Sequence, residues 1–424
     1  MSSQKDTGDP WSGIGRTEIT PLRARWLAAA GLLALAAVPL VEGFEQREPF
    51  ARFAASFPAA GKVFAADGFF AGNRSLLARM DELERGLEDA SVLRRALPAA
   101  QWLLSAWGGV GNEKVYLGRG GWLFFRPGVD YLTGPGFLSP AVLERRRRSG
   151  PGWREAPQPD PLRAILDFHR QLTDRGIGLL VMPVATKAMV YPDALAPDFR
   201  AGVEELAGLQ NPSFARFRRE LEGRGIEVFD PTASLIRARL EGGEEAFLRT
   251  DSHWSPAGLD AVARDLAQRL RELGLGGPED VPGLRRQPVV VRSRGDLARM
   301  LDLPEERELL PVETVRLPRV IGARGGGAEI LLLGDSYSNV FFQAELGWGT
   351  GAGLAEQLAF HLGAPIERLA INDGGPYGLR QRLAQEIAGG RDRLADKRLV
   401  IYQFAVRELA IGDWKLVRLP PPEG

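Results

Sequence analysis

The feature that most restricts the fold is an alternation that begins near Pro161. Short apolar runs ("IGLLVMPV", "IEVFD", "EILLLGDS", "IERLAIND", "RLVIYQF") are separated by stretches of helical periodicity, among them "LRAILDFHRQLTDRG", "FARFRRELEGRG", "GLDAVARDLAQRLREL", "GLAEQLAFHLG" and "LRQRLAQEIAGG". A short continuous apolar run is what a strand covered on both faces requires, and the intervening helices supply the covers. The pattern predicts an α/β fold on a mostly parallel sheet with helices on both sides. In open sheets of this type ligands bind beyond the carboxyl ends of the strands, so the loops that follow strands are where chemistry is expected.

The chain ahead of that pattern reads differently. "WLAAAGLLALAAVPLV", Trp26 to Val41, carries no charge, follows Arg16, Arg23 and Arg25, and precedes Glu42, Glu45 and Glu48. A membrane span wants about 20 residues and a cleaved signal core about 7 to 15, so a signal anchor and a signal peptide both remain open. The basic flank keeps the N-terminal side inside and sends everything after Val41 across the membrane. Leu76, Met80, Leu83 and Leu87 recur at helical spacing, and "LPAAQWLLSAW" is a second apolar helical stretch. The expected organisation is a cytoplasmic tail over 1–25, an anchor or signal over 26–43, a helical stalk over 44–110 and the main domain over 111–424. "VYLGRGGWLFF" predicts a strand pair turned at Gly118 to Gly121, and the arginine-rich stretch from Glu144 to Pro161 predicts a solvated loop.

Lys plus Arg equals Asp plus Glu, 54 each, so no global field steers the chain toward nucleic acid. The absence of cysteine removes thiol catalysis, Cys-ligated zinc and disulfides together. "RGGGAEI" is glycine-rich but precedes a strand and lacks the Lys-Ser or Lys-Thr of a phosphate loop.

Three segments hold the reactive side chains: "TDSHWSPAG", "GDSYS" and "INDGGPYG". Ser336 follows an apolar run and opens a helix, which fits a nucleophile whose bound group meets the amide of Tyr337, and equally fits a helix cap. A serine hydroxyl needs a base, and the chain has 3 histidines. His169 reads as a residue at the edge of a helix, and His361, near a helix end, as a partner of the helix dipole. His253 lies in a loop with Asp251 two residues before it, so on an extended backbone both side chains leave from one face. Asp251 would then fix the imidazole tautomer and leave the other nitrogen for Ser336. The alternative is that Asp-Ser-His caps the helix that follows. With one loop histidine and no cysteine, no metal site is expected.

"FLRTDSHWSPAG", "LLLGDSYSNVF" and "YQFAVRELAIGDWK", in that order and preceded by "VYLGRGGWLFFRPGVDYLTG" and "VMPVATKAMVYPD", resemble the motifs of the alginate-type O-acetyltransferases of the SGNH hydrolase-like superfamily. The resemblance spans roughly Leu97 to Lys415. It implies a three-layer SGNH hydrolase-like fold behind an N-terminal membrane anchor, and acetylation of an exported polysaccharide. It also implies acetyl groups supplied by a membrane-bound O-acyltransferase, no cofactor, and a place at the periplasmic face of the inner membrane, or in the periplasm if the signal is cleaved. By motif match Ser336 is the expected nucleophile, His253 the base and Asp251 its orienting acid. Tyr377 and Arg407 match additional active-site positions, while Lys187 and Tyr191 are expected to line the same cleft or to belong to a polar strand-end loop. Ordinary serine esterases of the superfamily put the serine first and space Asp and His three apart. The reversed order and two-residue spacing here fit the acetyltransferase branch. A carbohydrate acetyl esterase with the same triad and a noncatalytic scaffold of polysaccharide export are the alternatives.

Overall fold

The computed structural model describes residues 92–421 apart from breaks at 150–155, 197, 200–205, 207, 242, 277–283, 305–308 and 323–326, together with scattered positions between 20 and 80. The expected anchor and most of the periodic stretch around Met80 lie outside the described residues. Among the described residues no helix is long and apolar enough to cross a membrane. One compact unit holds Gly15–Gly109 with Asp302–Leu309, and in it Val92–Gly108 is helical. The other holds Val110–Leu301 and Leu310–Gly424.

The second unit opens with the expected hairpin. β1 (Val115–Leu117) pairs antiparallel with β2 (Leu123–Phe125), and the turn passes through Gly120 and Gly121 at φ 62 and 79, a region that a Cβ disfavours. The helix Pro161–Thr173 then starts on an Asp160 cap, whose side chain accepts from the Leu162 amide, with Pro161 in the first turn where no amide is needed. It buries Ala164, Ile165, Phe168 and Leu172, and the chain leaves it through Gly176 at φ 72.

β3 (Gly178–Val184) and β4 (Glu227–Val228) belong to the central sheet. β5 (Arg285–Ser293) and β6 (Glu313–Ile321) form a separate antiparallel ribbon. β7 (Ile330–Gly334), β8 (Ile366–Ala370) and β9 (Leu399–Ala405) complete the sheet in the order β4-β3-β9-β7-β8, with every pairing parallel. All residues of β7 and β9 are buried, so both faces are covered, as the continuous apolar runs require. One cover is visible in detail: the Phe168 ring meets Tyr402 of β9 edge-on at 5.7 Å. Each buried leucine of β7 contributes about 1.5–3 kcal/mol by leaving water, which makes this strand a firm platform for the residues that follow it.

From β3 the chain steps outward to β4, and from β7 outward to β8, while β9 fills the gap between β3 and β7. That reversal sets the carboxyl ends of β3, β9 and β7 side by side. Lys187, Arg407 and Ser336 follow those three strands.

One expectation needs correcting. The run from Glu144 is not a solvated loop throughout, because the helix Pro140–Arg147 continues through its first four residues. Arg146 turns inward and donates to the carbonyls of Gly412, at 2.6 Å, and Pro159, at 3.2 Å. A guanidinium that finds two carbonyls has reason to leave water, which charge counting along the chain does not register.

Candidate active site

Ser336 is the first residue of the short helix Ser336–Asn339, directly after β7. The cap of that helix is Asp335, whose Oδ1 accepts from the Tyr337 amide at 2.9 Å. The same carboxylate accepts from Gln403 Nε2 at 2.7 Å and, through Oδ2, from the Ala405 amide at 2.7 Å, so β9 holds it in place. Capping therefore falls to the aspartate and leaves the serine hydroxyl free. This arrangement also corrects the role expected for the Tyr337 amide, whose proton is already committed to Asp335. The Ser336 N–H, in the first turn where no intrahelical acceptor exists, finds no acceptor among the described residues.

The Ser336 hydroxyl donates to Nε2 of His253 at 2.8 Å, and Nδ1–H of His253 donates to Asp251 Oδ1 at 2.6 Å. Both Asp251 and His253 are buried. Their segment is a turn, not the extended backbone expected from the two-residue spacing: Asp251 Oδ1 also accepts from the His253 amide at 3.0 Å, which folds the carboxylate back beneath the ring. Nor does Asp-Ser-His cap the following helix. That duty belongs to Ser255, which accepts from the Gly258 amide at 3.1 Å.

Two partners of this pair come from distant segments. Trp348, fully buried, donates its indole N–H to Asp251 Oδ2 at 2.8 Å, and the Asp296 amide donates to the same oxygen at 2.9 Å. Burial pushes the Asp251 carboxyl up, but the charge and hydrogen bond of His253, with the two N–H donors on Oδ2, outweigh it and hold the group well below the usual carboxylate range. Burial lowers His253, yet the Asp251 carboxylate, with help from Asp296 and Asp335, raises the imidazole above its ordinary value. Asp296 itself accepts from the Ser252 amide at 2.6 Å and from the Ser252 hydroxyl at 2.5 Å. Burial and the nearby Asp251 charge raise it.

One potential ligand atom each from Asp251, His253 and Asp296 lie within 4.8 Å of one another. Both oxygens of each carboxylate already accept protein hydrogen bonds, so the group is wired as a hydrogen-bonded chain running from Trp348 to Ser336.

The other expected site residues lie as follows. Tyr337 is buried, its ring 4.8 Å from His253 and its hydroxyl donating to the Ser252 carbonyl at 2.9 Å, so it supports the histidine loop from below. Arg407 follows β9, stacks on Phe125 at 5.0 Å and lies 3.8 Å from Glu408. Burial lowers its pKa, but Tyr337, Glu408 and Asp335 raise it further. Lys187, Ser252, Tyr337 and Arg407 share the lining of one small cavity, roughly 10 Å³ of space and about the size of a single water. Lys187 does not offer its ammonium to a cleft: Nζ donates to the carbonyls of Leu123, Arg249 and Asp251. Tyr191 is likewise structural, stacked on Trp122 at 4.1 Å and accepting from the Ala246 amide. Tyr377, in the helix Gly375–Ala388 after β8, lies under Lys415 at 5.7 Å, and among the described residues no hydrogen bond or ring contact joins it to Ser336. His361 lies in the last turn of the helix Leu354–Leu362, the expected helix-end position, and its Nε2 also pairs with Asp260 and Arg286.

Asp296 and Trp348 escape a reading by motif because they are remote in sequence. A signal existed for the tryptophan, which is flanked by glycines. Gly347, Gly349 and Gly351 adopt φ of 85, 85 and 79, conformations that let the chain fold the indole inward.

The geometry can be set beside known proteins. Residues 115–406 match the family model described as an SGNH hydrolase-like domain, acetyltransferase AlgX. A protein of Pseudomonas aeruginosa named "Probable alginate O-acetylase AlgJ" is 27% identical over 320 residues, covering 72% of this chain and 72% of its own. A protein of the same name from Azotobacter vinelandii is 32% identical over 157 residues, covering 35% of this chain and 37% of its own. Among solved structures, the O-acetyltransferase domain of Pseudomonas putida AlgJ aligns with a TM-score of 0.51 at 22% identity, covering 70% of this chain and 92% of that one, which shows a shared fold.

Proposed function

This chain belongs to the family of SGNH hydrolase-like AlgX acetyltransferase domains, and from that membership we propose that it O-acetylates a polysaccharide through an acetyl-serine. Ser336 attacks the carbonyl of an acetyl donor and His253 Nε2 takes the hydroxyl proton. Asp251 holds the imidazole in the required tautomer and balances the charge that forms. The tetrahedral oxygen is met by the Ser336 N–H, a donor in the first turn of a helix, where the dipole favours negative charge. Collapse expels the donor's leaving group, which takes the proton from His253. A sugar hydroxyl then gives its proton to the same nitrogen as its oxygen attacks the acetyl-serine. Collapse breaks the bond to Ser336 Oγ, which takes the proton back from Nε2, leaving an acetylated sugar, the serine hydroxyl and a neutral imidazole.

The observation that carries this reading is the unbroken chain of hydrogen bonds from Ser336 through His253 to Asp251, at 2.8 and 2.6 Å. The relatives are named for alginate, and the acceptor proposed here is an exported polysaccharide of that kind. The uncharged run from Trp26 to Val41, basic before and acidic after, supports export with an N-terminal anchor or cleaved signal. The enzyme then works at the periplasmic face of the inner membrane or in the periplasm, with acetyl groups delivered by a membrane-bound O-acyltransferase.

The test is acetyl transfer from a soluble activated acetyl ester to an oligosaccharide of uronic acids. The expected result is acetylated oligosaccharide from the wild-type protein and none from Ser336→Ala. Release of acetate alone, unchanged by acceptor, would instead identify an esterase, and equal transfer by Ser336→Ala would reject the mechanism.

A further inference from the structure

The backbone from Arg249 to Asp251 is gripped from two sides by opposite charges. On its amide side, the Glu313 carboxylate accepts from the Arg249 amide at 2.8 Å, from the Thr250 amide at 2.7 Å and from the Thr250 hydroxyl. On its carbonyl side, Lys187 Nζ donates to the oxygens of Arg249, at 3.0 Å, and Asp251, and also to Leu123 at 2.8 Å. Lys187 is 4% exposed. Burying an ammonium is costly unless its donors are satisfied, and here three N–H groups meet three carbonyls. Gly295 closes the remaining side, since a Cβ there would lie 2.2 Å from the Thr250 oxygen and 2.4 Å from the Asp251 nitrogen.

None of these groups has a part in moving protons at Ser336. We propose that Lys187 and Glu313 are positioning residues, a clasp of opposite charges across the Arg249–Asp251 backbone that sets the Asp251 carboxylate under His253 and works only while Lys187 is protonated. The proposal rests on the acetyl-serine reading of the same site. A neutral amine has two N–H donors and a lone pair, so on losing its proton Lys187 turns a lone pair on one of the three carbonyls and the loop carrying Asp251 loosens.

The groups facing Lys187 decide where this happens. Burial pushes the ammonium down to about 8, opposed by the carboxylates of Asp251, Asp296, Glu313 and Glu245. The rings of Trp122 and Phe124 lie 5.5 and 5.9 Å from Nζ. The sign of the linked stability separates this device from unfolding. With the folded value below the unfolded one, the unfolded chain binds more protons between the two, and stability from this group rises with pH. Activity should therefore fall while the fold holds.

The experiment is the pH dependence of kcat on a soluble acetyl ester from pH 6.5 to 10, with rates of Ser336→Ala subtracted and thermal unfolding followed in parallel. The wild-type protein is expected to lose activity with an apparent midpoint near 8 and with no fall in unfolding temperature over the same interval. Glu313→Gln removes one of the carboxylates that hold the proton on Lys187, so its alkaline midpoint should move to lower pH, with kcat about tenfold lower at pH 7 and KM unchanged. A wild-type kcat that stays level across this range, or a Glu313→Gln midpoint that does not move, overturns the clasp. Absence of any Ser336-dependent turnover would instead overturn the reading beneath it.

Discussion

Among the described residues there are two Asp–His pairs, and the contrast between them shows what leaves an imidazole nitrogen available to a hydroxyl. In the first, His253 spends Nδ1 on Asp251 and keeps Nε2 for a hydroxyl. In the second, His361 spends Nε2 itself, 2.7 Å from Asp260 Oδ1 and 2.8 Å from Arg286 Nη2. Both pairs bring an imidazole to a carboxylate. Among the described residues only the first leaves a ring nitrogen facing a serine hydroxyl, and only there does the second carboxylate oxygen take two further N–H donors, from Trp348 and Asp296. The helices Pro256–Glu272 and Leu354–Leu362 carry the second pair, which ties one element to another. The first pair sits on a turn whose polar backbone groups are held by side chains from other segments.

The largest expected difference lies in substitution of the histidines. His253→Ala should lower kcat by about 10⁴ or more, as loss of the general base does in comparable triads, while His361→Ala should leave kcat within about twofold of wild type. Steady-state kinetics on a soluble acetyl ester, with circular dichroism to verify folding, makes the comparison. A large loss in both variants would erase the distinction. Asp251→Asn and Asp260→Asn sharpen it: the first, by favouring the wrong tautomer, should cost up to about 10⁴ in kcat, and the second should affect only stability, by ~1 kcal/mol or less because the pair is partly exposed.

A smaller effect belongs to Trp348→Phe. Its ring refills most of the space but returns no N–H to Asp251 Oδ2, so kcat should drop about tenfold at unchanged KM. The smallest concerns pH. Because His253 is raised above 6.5 in the folded protein, kcat/KM should fall on the acid side with a midpoint above 6.5 as Nε2 takes up a proton. The same shift means that this histidine's contribution to stability is full below its unfolded value and is lost as pH rises through the folded one. Asp260 has the opposite sign. Burial raises it, but His361 and Arg286 depress it further, so its contribution is present above its unfolded value and is lost as pH falls through the folded value. Titrations of thermal stability for wild type and Asp260→Asn should differ at neutral pH and converge as pH falls through the folded value.

The strands and principal helices were legible in the sequence because burial on both faces writes itself as an unbroken apolar run. β7 and β9 are read directly from "EILLLGDS" and "RLVIYQF". Asp251, His253 and Ser336 were legible by scarcity, since two of the three histidines fall within helices and one in a loop. What surrounds them was not. Trp348, Asp296 and Glu313 reach the turn from segments 97, 45 and 63 residues away, and no periodicity links positions so far apart. Lys187 drew notice for its place after a strand, but the direction of its ammonium, inward onto three carbonyls, depends on the path of the backbone around it. The run of arginines misled for a related reason: whether a guanidinium stays in water is decided by the carbonyls that folding brings near it, as Gly412 is brought to Arg146.

The central claim is that Ser336 carries the acetyl group. Incubation with a slowly turned-over acetyl donor, acid quench and peptide mass mapping should find one acetyl group on the peptide containing Ser336, at a level that rises when deacetylation is slowed and vanishes in His253→Ala. An acetyl group confined to another residue, or turnover with Ser336 never modified and a Ser336→Ala variant still active, would contradict the account.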